Sequence, residues 1–321
     1  MKVEKLDSLE LLFKDDLLHE TLENNPLFSI QNIEYQKNYR TDIISSEDIS
    51  FVIKNEDVEF FYVFIAFKHI TKTGMEFSNY GLPIITLEHE ISPPLKKTII
   101  TEIINRIEFD SNIIYSQFNF EKLNILAELL LVKERRPFLY FESKVNLLLD
   151  YNVIRQSYRK SYKSLISKFS EKIELKVYNS ENISLDVYKE FKNLHFREAG
   201  RMTRTEKTWE IHFDMIKKNT AVLICAEFGD DLIGGALFIH SSYSAYYGVS
   251  ASDAGLKKTF PITHLILDKA ISYYKDIGLQ KLILGLYEPD SRDEKLRGIS
   301  AFKSAFANEK SVSLKFHGYK H

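Results

Sequence analysis

Three groups of side chains in the second half of the sequence have the types and spacing to do chemistry. Lys303 lies between Phe302 and Phe306 in a helical stretch. With Ile299, Phe302 and Phe306 as the buried stripe, Lys303 points about 100° away from Phe302. An ammonium there can stabilise negative charge developing in a transition state, or it can be a surface lysine with its stem along apolar surface. Arg201 and Arg204 lie three apart in a loop led by Gly200. Guanidinium forks match carboxylate and phosphate geometry, so the pair can anchor an anionic substrate such as a nucleotide-linked sugar. They can equally pair with Glu198 and Glu206 at the surface. His195, one turn after Phe191, is a base, a substrate contact or a packing-layer histidine.

The third group is Tyr246, Tyr247, Ser250 and Asp253, on or just beyond a strand. Strict alternation places Tyr246, Gly248 and Ser250 on one face and Tyr247, Val249 and Ala251 on the other. Gly248 permits close approach of a second backbone or a ligand. Tyr247 and Asp253 are candidates for proton handling, against the alternatives of a core tyrosine and a turn aspartate. Downstream, Lys257, Lys258 and the free N–H groups of Ile262 and Thr263, after Pro261, can attract an anion.

These groups need a scaffold, and the pattern of the chain supplies one. Residues 3–24 read as an amphipathic helix ended by Asn25-Pro26. A strand-rich stretch follows, with strands expected at 59–70 and 83–88, a Pro-led helix from 93, a strand at 112–118, a helix at 121–131 and extended chain at 137–149. The second half predicts a basic helix over 153–169, a strand at 173–178 and a helix at 185–199. A helix capped by Thr205 carries Trp209, Phe213 and Ile216 on its apolar face. Three meandering strands over 221–250, a helix over 261–278, a strand at 281–287, a helix at 294–307 and a strand at 312–317 complete it. Thus 321 residues suit two domains of ordinary size.

Composition excludes several classes. Lys plus Arg number 43 against 45 Asp plus Glu, so the broad positive footprint of a duplex-DNA binder is missing. The single cysteine, Cys225, lies in an apolar run and reads as a buried strand residue; one cysteine allows neither an internal disulfide nor a cysteine-based zinc site. Neither a signal-peptide pattern nor an apolar run of membrane-spanning length is visible, so the cytoplasm is the expected compartment and no integral membrane segment is expected.

The order strand–helix–helix–three strands–helix–strand–helix–strand resembles the acetyltransferase-like (GNAT) fold. Three segments narrow it: Leu194-His195 through Ala199-Gly200-Arg201-Met202-Thr203-Arg204 to Thr208-Trp209, then Tyr246-Tyr247-Gly248-Val249-Ser250-Ala251-Ser252-Asp253, and Phe302-Lys303-Ser304-Ala305-Phe306. Together they resemble the FemABX-like branch, which pairs two GNAT-like domains. The motif likeness covers about 150–306 and is only architectural before that. It implies an α/β fold of two tandem GNAT-like domains, each a mixed sheet flanked by helices, with a cleft between them. Residues 1–149 would form a degenerate domain that shapes acceptor choice, and 150–321 the acyltransferase domain.

The implied activity is transfer of an acyl or aminoacyl group to an amine of a sugar-nucleotide or cell-envelope precursor. Lys303 matches the lysine of a Phe-Lys-x-x-Phe-Gly pattern at the acyl-transfer centre, although Ala307 replaces the final glycine. His195, Arg201, Arg204, Trp209, Tyr246 and Ser250 are the substrate-binding candidates; Lys257, Lys258, Ile262 and Thr263 are the donor-binding ones. No metal and no permanent cofactor are expected; the co-substrate is aminoacyl-tRNA, held at its acceptor end, or acyl-CoA. The glycine-rich pyrophosphate loop of acetyl-CoA-using relatives is replaced by 252–261, which has one glycine. An ordinary acetyl-CoA-dependent N-acetyltransferase and a catalytically inactive binding or scaffold protein are the alternatives.

Overall fold

A computed structural model describes residues 2–5, 26–54, 60–79, 84–86, 91–117 and 123–318. In chain order the first part holds β1 (Lys2–Lys5), α1 (Ile30–Tyr39), β2 (Ile43–Asp48), β3 (Phe51–Lys54), β4 (Phe60–Phe64), β5 (Phe67–Thr71), β6 (Gly74–Ser78), β7 (Ile85–Thr86), α2 (Pro93–Arg106), β8 (Asn112–Gln117), α3 (Ile125–Val132) and β9 (Pro137–Asn146). It continues through α4 (Tyr151–Ser157), α5 (Lys160–Phe169), β10 (Glu174–Tyr178), α6 (Leu185–Ala199), α7 (Glu206–Lys217), β11 (Ala221–Phe228), β12 (Asp231–His240), β13 (Ser244–Ser252), α8 (Ile262–Asp276), β14 (Lys281–Leu286), α9 (Glu294–Ser304) and β15 (Glu309–Gly318).

Contacts divide the chain into two compact units that interleave in sequence: 1–14, 40–140 and 312–321 in one, 15–39 and 141–311 in the other. In the first unit, β1, β3, β4 and β7 form one sheet, and β8, β6, β5 and β2 follow one another in a second. Phe51, Tyr62 and Phe64 pack there with Leu95, Ile99 and Ile103 of α2 and with Tyr115 and Phe316.

The second unit is built on β10-β11-β12-β13-β14-β9. One face packs Phe238, Ala245, Leu282 and Leu284 against Leu265, Ile266 and Ala270 of α8. The other packs Leu223, Cys225 and Leu237 against Phe191 of α6 and Trp209 and Ile216 of α7. Helix caps explain the boundaries. The Ser184 hydroxyl accepts the Val187 N–H at 3.2 Å, and Thr205 accepts that of Thr208 at 3.3 Å. Among the described residues, no helix is long and apolar enough to cross a membrane.

Several expectations are corrected. Residues 3–5 belong to strand β1, and the rest of the helix expected at 3–24 lies outside the described residues. Helix α1 lies in a stretch read as strand-rich. The run at 59–70 is two strands in different sheets, because Ile65 and Ala66 lie between β4 and β5. The basic helix breaks at Tyr158 and Arg159, both extended, where the Arg159 N–H donates to the Ala305 carbonyl at 2.9 Å. Ile299 is 39% exposed, while Phe306, in the turn just after α9, is fully buried, so the two do not share one buried stripe.

Alternation also fails in β13. Leu237 pairs with Val249 and Phe238 with Tyr247, which leaves Gly248 as the extra residue of a bulge. Tyr247 therefore joins the α8-side core, while Val249 and Ala251 join the α6/α7 side. Ser250 falls on the side of Tyr247, whose hydroxyl donates to the Ser250 hydroxyl at 2.8 Å.

Candidate active site

Strands β13 and β14 run parallel and pair only over Ser244–Tyr246 and Lys281–Ile283. Beyond Tyr246 they part, and the free edge of β13 lines a pocket of ≈ 650 Å³. The start of α8 and the inner side of α9 supply the other walls. The pocket lies wholly within the second unit.

Of the candidates from sequence, Lys303, Tyr247, His195, Arg204, Ser250, Lys257, Ile262 and Thr263 line this pocket. Asp253, Arg201, Trp209, Tyr246 and Lys258 are not among its lining residues. Arg201 and Lys258 are exposed. Trp209 is buried behind Arg204, whose guanidinium lies 5.8 Å from its ring centre. Asp253 is engaged by its own loop: its Oδ1 accepts the N–H groups of Gly255 at 2.9 Å and Leu256 at 3.0 Å, and Arg197 lies 3.7 Å from Oδ2. Tyr246 faces β14, where its hydroxyl meets Gly285.

The mouth is cationic. Arg204, Lys257 and Lys295 line both the main pocket and an adjoining hollow of ≈ 320 Å³, to which Glu198 contributes the acidic group. Among the described residues, Arg204 hydrogen-bonds and stacks only with neutral groups. It donates to the Tyr35 hydroxyl at 3.2 Å, to His195 Nε2 at 3.1 Å and to Thr203 at 3.2 Å, and it lies 5.5 Å from the Tyr39 ring centre. Arginine has no acceptor, so His195 Nε2 must accept and the imidazole is neutral. Such an arginine is held in place by rings and keeps its charge for a ligand.

At the inner end, the Lys303 ammonium lies 5.7 Å from the centre of the Tyr247 ring. Burial lowers its proton affinity, and the Glu142 carboxylate opposes that shift. Burial raises the Tyr247 phenol, opposed by its bond to Ser250, and pushes Tyr246 up to about 12. Both phenols are therefore protonated donors near neutrality.

Sequence reading missed His264, Lys295, Gly285 and Glu142. His264 sits edge-on to Tyr162 at 4.3 Å and to Phe302 at 5.0 Å, forming the α8 wall. A signal did exist for Gly285, as a lone glycine in the apolar strand Leu282-Ile283-Leu284-Gly285-Leu286 marks a bulge or close approach. Glu142 and Lys295 carry no local signal.

The site histidines make an acid-stability test. Burial lowers His195 to about 4 and His264 to about 4, with the Arg204 charge adding to the effect on His195. His212, stacked at 4.5 Å on Tyr35, falls to about 3 through burial, then Arg204 and His195. Unfolded histidines take up protons near pH 6.5. The unfolded state therefore binds more protons between about pH 6.5 and 4, and stability is lost as pH falls through that window. The melting temperature is expected to drop there, and His212→Phe, which keeps a ring on Tyr35, to flatten the drop. An identical pH profile in that variant would remove His212 from the explanation.

No family model matches the chain, and no curated protein matches it. Solved structures do. FemX shares 11% identity over 99% of this chain and 97% of its own, with a TM-score of 0.69. A tandem GNAT protein from the clavulanic acid biosynthesis pathway, solved without AcCoA, shares 8% identity over 98% of each chain at 0.53. L-PGS from Bacillus licheniformis shares 11% identity over 84% of each chain, also at 0.53. At these identities the likeness is one of fold, and the chain has the α/β tandem GNAT architecture of FemX.

Proposed function

We propose that this chain transfers an acyl or aminoacyl group to an amine on a sugar-nucleotide or cell-envelope precursor. The observation that carries the reading is the pocket opened by the parting of β13 and β14, with Lys303 at its inner end and Arg204, Lys257 and Lys295 at its mouth. The amine lone pair attacks the donor carbonyl carbon, the carbonyl oxygen becomes an oxyanion, and the donor oxygen or sulfur then departs with the electron pair of its bond to carbon. The amine loses one proton and the leaving group gains one. Lys303 faces the space where an oxyanion would form. Tyr247 and Ser250, already hydrogen-bonded on the pocket wall, are placed to relay a proton. Asp253 would act through the loop it holds. Arg204 would anchor the anionic part of the acceptor, and His195 would fix Arg204 through its neutral imidazole.

The donor reading rests on loop 252–261. A pyrophosphate cradle needs several backbone N–H groups aimed at one point outside the loop. Here the N–H groups of Gly255 and Leu256 donate to the Asp253 carboxylate, and those of Lys257, Thr259 and Phe260 donate to carbonyls of the same loop. Gly255 sits at φ −72°, ψ −50°, ordinary right-handed backbone. This favours aminoacyl-tRNA, held near its acceptor end by local cations, over acetyl-CoA. The free N–H groups of Ile262 and Thr263 at the pocket wall support the second reading, an acetyl-CoA-dependent N-acetyltransferase.

Calorimetry with acetyl-CoA, longer acyl-CoAs and charged tRNA separates the readings. Charged tRNA is expected to bind with an affinity that falls as salt rises, and acetyl-CoA not to bind at micromolar concentration. Micromolar acetyl-CoA binding against 247–250 would establish the second reading instead. Acceptor binding with no turnover on any donor would favour a scaffold, although the open pocket supports an enzyme. The domain roles stay part of this proposal: 150–321 carrying the reaction, and 1–149 shaping acceptor choice.

A further inference from the structure

Helix α9 has two working faces. Lys295, Ile299, Phe302 and Lys303 line the pocket described above. Arg297, Ala301 and Ser304, spaced by four and then three residues, share another face and line a separate hollow of ≈ 590 Å³. The two spaces have no lining residue in common, and the hollow also lies wholly within the second unit. Its other walls are Ser157 and Arg159, between α4 and α5, and Tyr287 and Pro289, after β14. Arg159 reaches it because the chain breaks there: the extended Arg159 donates its N–H to the Ala305 carbonyl at 2.9 Å, which pins the break against the end of α9.

Among the described residues, the hollow is lined by two guanidiniums and no carboxylate. Arg297 donates to the Ser291 carbonyl at 2.9 Å, and neither arginine is ion-paired with an acid among those residues. Glu288 and Asp290, on either side of Pro289, are exposed and outside the lining, and the Asp293 carboxylate accepts the N–H groups of Lys295 and Leu296. Lys310 adds a third cation, its ammonium 3.9 Å from the centre of the Tyr287 ring. Two guanidiniums without an acid suit a dianion, and their planar forks suit phosphate oxygens. The space is larger than one phosphate needs and has the size of a small-molecule site. Tyr287 and Pro289 offer flat apolar surface to a ring. The Ser157 hydroxyl donates to the Ile154 carbonyl at 2.6 Å, so it is left to accept from a sugar hydroxyl.

We propose that this hollow is a second ligand site, separate from the reaction pocket, that takes a nucleoside phosphate. Arg159 and Arg297 hold the phosphate, and Tyr287 and Pro289 flank the base or sugar. The proposal does not depend on the role given to Lys303, so either can fail while the other stands.

Titration calorimetry of the full chain with AMP, UMP, their nucleosides and inorganic phosphate tests this. Both nucleotides are expected to bind, and the nucleosides to bind about tenfold more weakly or less. Arg297→Ala should lower nucleotide affinity about ten- to hundredfold, the scale of one charged hydrogen bond. Ala301→Glu, which puts a carboxylate into the hollow at an exposed helix position, should abolish the binding and serves if Arg297→Ala does not fold. Arg204→Ala, in the reaction pocket, should leave a binding event that Arg297→Ala removes. Nucleotide binding that survives Arg297→Ala and Ala301→Glu but is lost in Arg204→Ala belongs to the reaction pocket and overturns the proposal. So does an absence of binding at millimolar concentration, or inorganic phosphate binding as tightly as both nucleotides, since the ring wall would then contribute nothing. A 5′-phosphorylated trinucleotide that binds more tightly than either nucleotide assigns the site to the end of a nucleic-acid strand, and equal binding assigns it to a free nucleotide; both outcomes uphold it.

Discussion

Replacing Lys303 by methionine is expected to lower turnover about 10²–10³-fold with acceptor affinity nearly unchanged. Methionine keeps most of the apolar stem, so its place beside the Tyr247 ring survives and only the charge is removed. An interaction made mainly with the oxyanion acts on the transition state and not on the bound acceptor. The measurement is single-turnover kinetics with the donor identified by calorimetry, alongside acceptor binding. Turnover within a few-fold of the parent would reduce Lys303 to a packing residue. A large rise in KM with unchanged kcat would make it a binding residue.

The second large effect is expected at Arg204. Arg204→Ala should weaken binding of a nucleoside diphosphate sugar amine by about 1.5–3 kcal/mol, the scale of a charged hydrogen bond. That is roughly a ten- to hundredfold loss of affinity. Arg204 keeps its fork free of carboxylate partners among the described residues and is wedged between Tyr39 and Trp209. Arg201 is exposed and outside the pocket lining, so Arg201→Ala is expected to lose much less. Titration calorimetry of both variants, each checked by thermal melting, separates them. Unchanged affinity in folded Arg204→Ala would remove the anchor, and equal losses at both positions would place the anion outside the pocket.

The sequence by itself determined the second half of this fold almost element by element. Its signals are local. Ser184 and Thr205 cap helices, Gly200 and Gly278 stop them, and the apolar periods of 185–199 and of each of the three strands over 221–250 lie within single elements. Lys303, Arg204 and Tyr247 could be offered as candidates for a related reason, since the resemblance that singled them out rests on short runs of consecutive residues, and all three line the pocket. The first half was less legible. Its long apolar run divides between two sheets, and a pattern of period two cannot tell one strand from two.

Tertiary structure decided which chemistry the candidates share. Arg204 is oriented by Tyr35, which lies 169 residues away in sequence. The break at Arg159 depends on the Ala305 carbonyl. The bulge at Gly248 turns Tyr247 and Ser250 to one side of the sheet, because register belongs to the pairing of β12 with β13 and not to β13 alone. The notch at Gly285, where Lys303 of α9 and Tyr246 of β13 meet bare β14 backbone, exists only once β14 is paired with β9. Local propensity sets where a strand or helix begins and ends. The proton state of a buried lysine depends on the charges and the solvent around it, and only packing across distant segments supplies those.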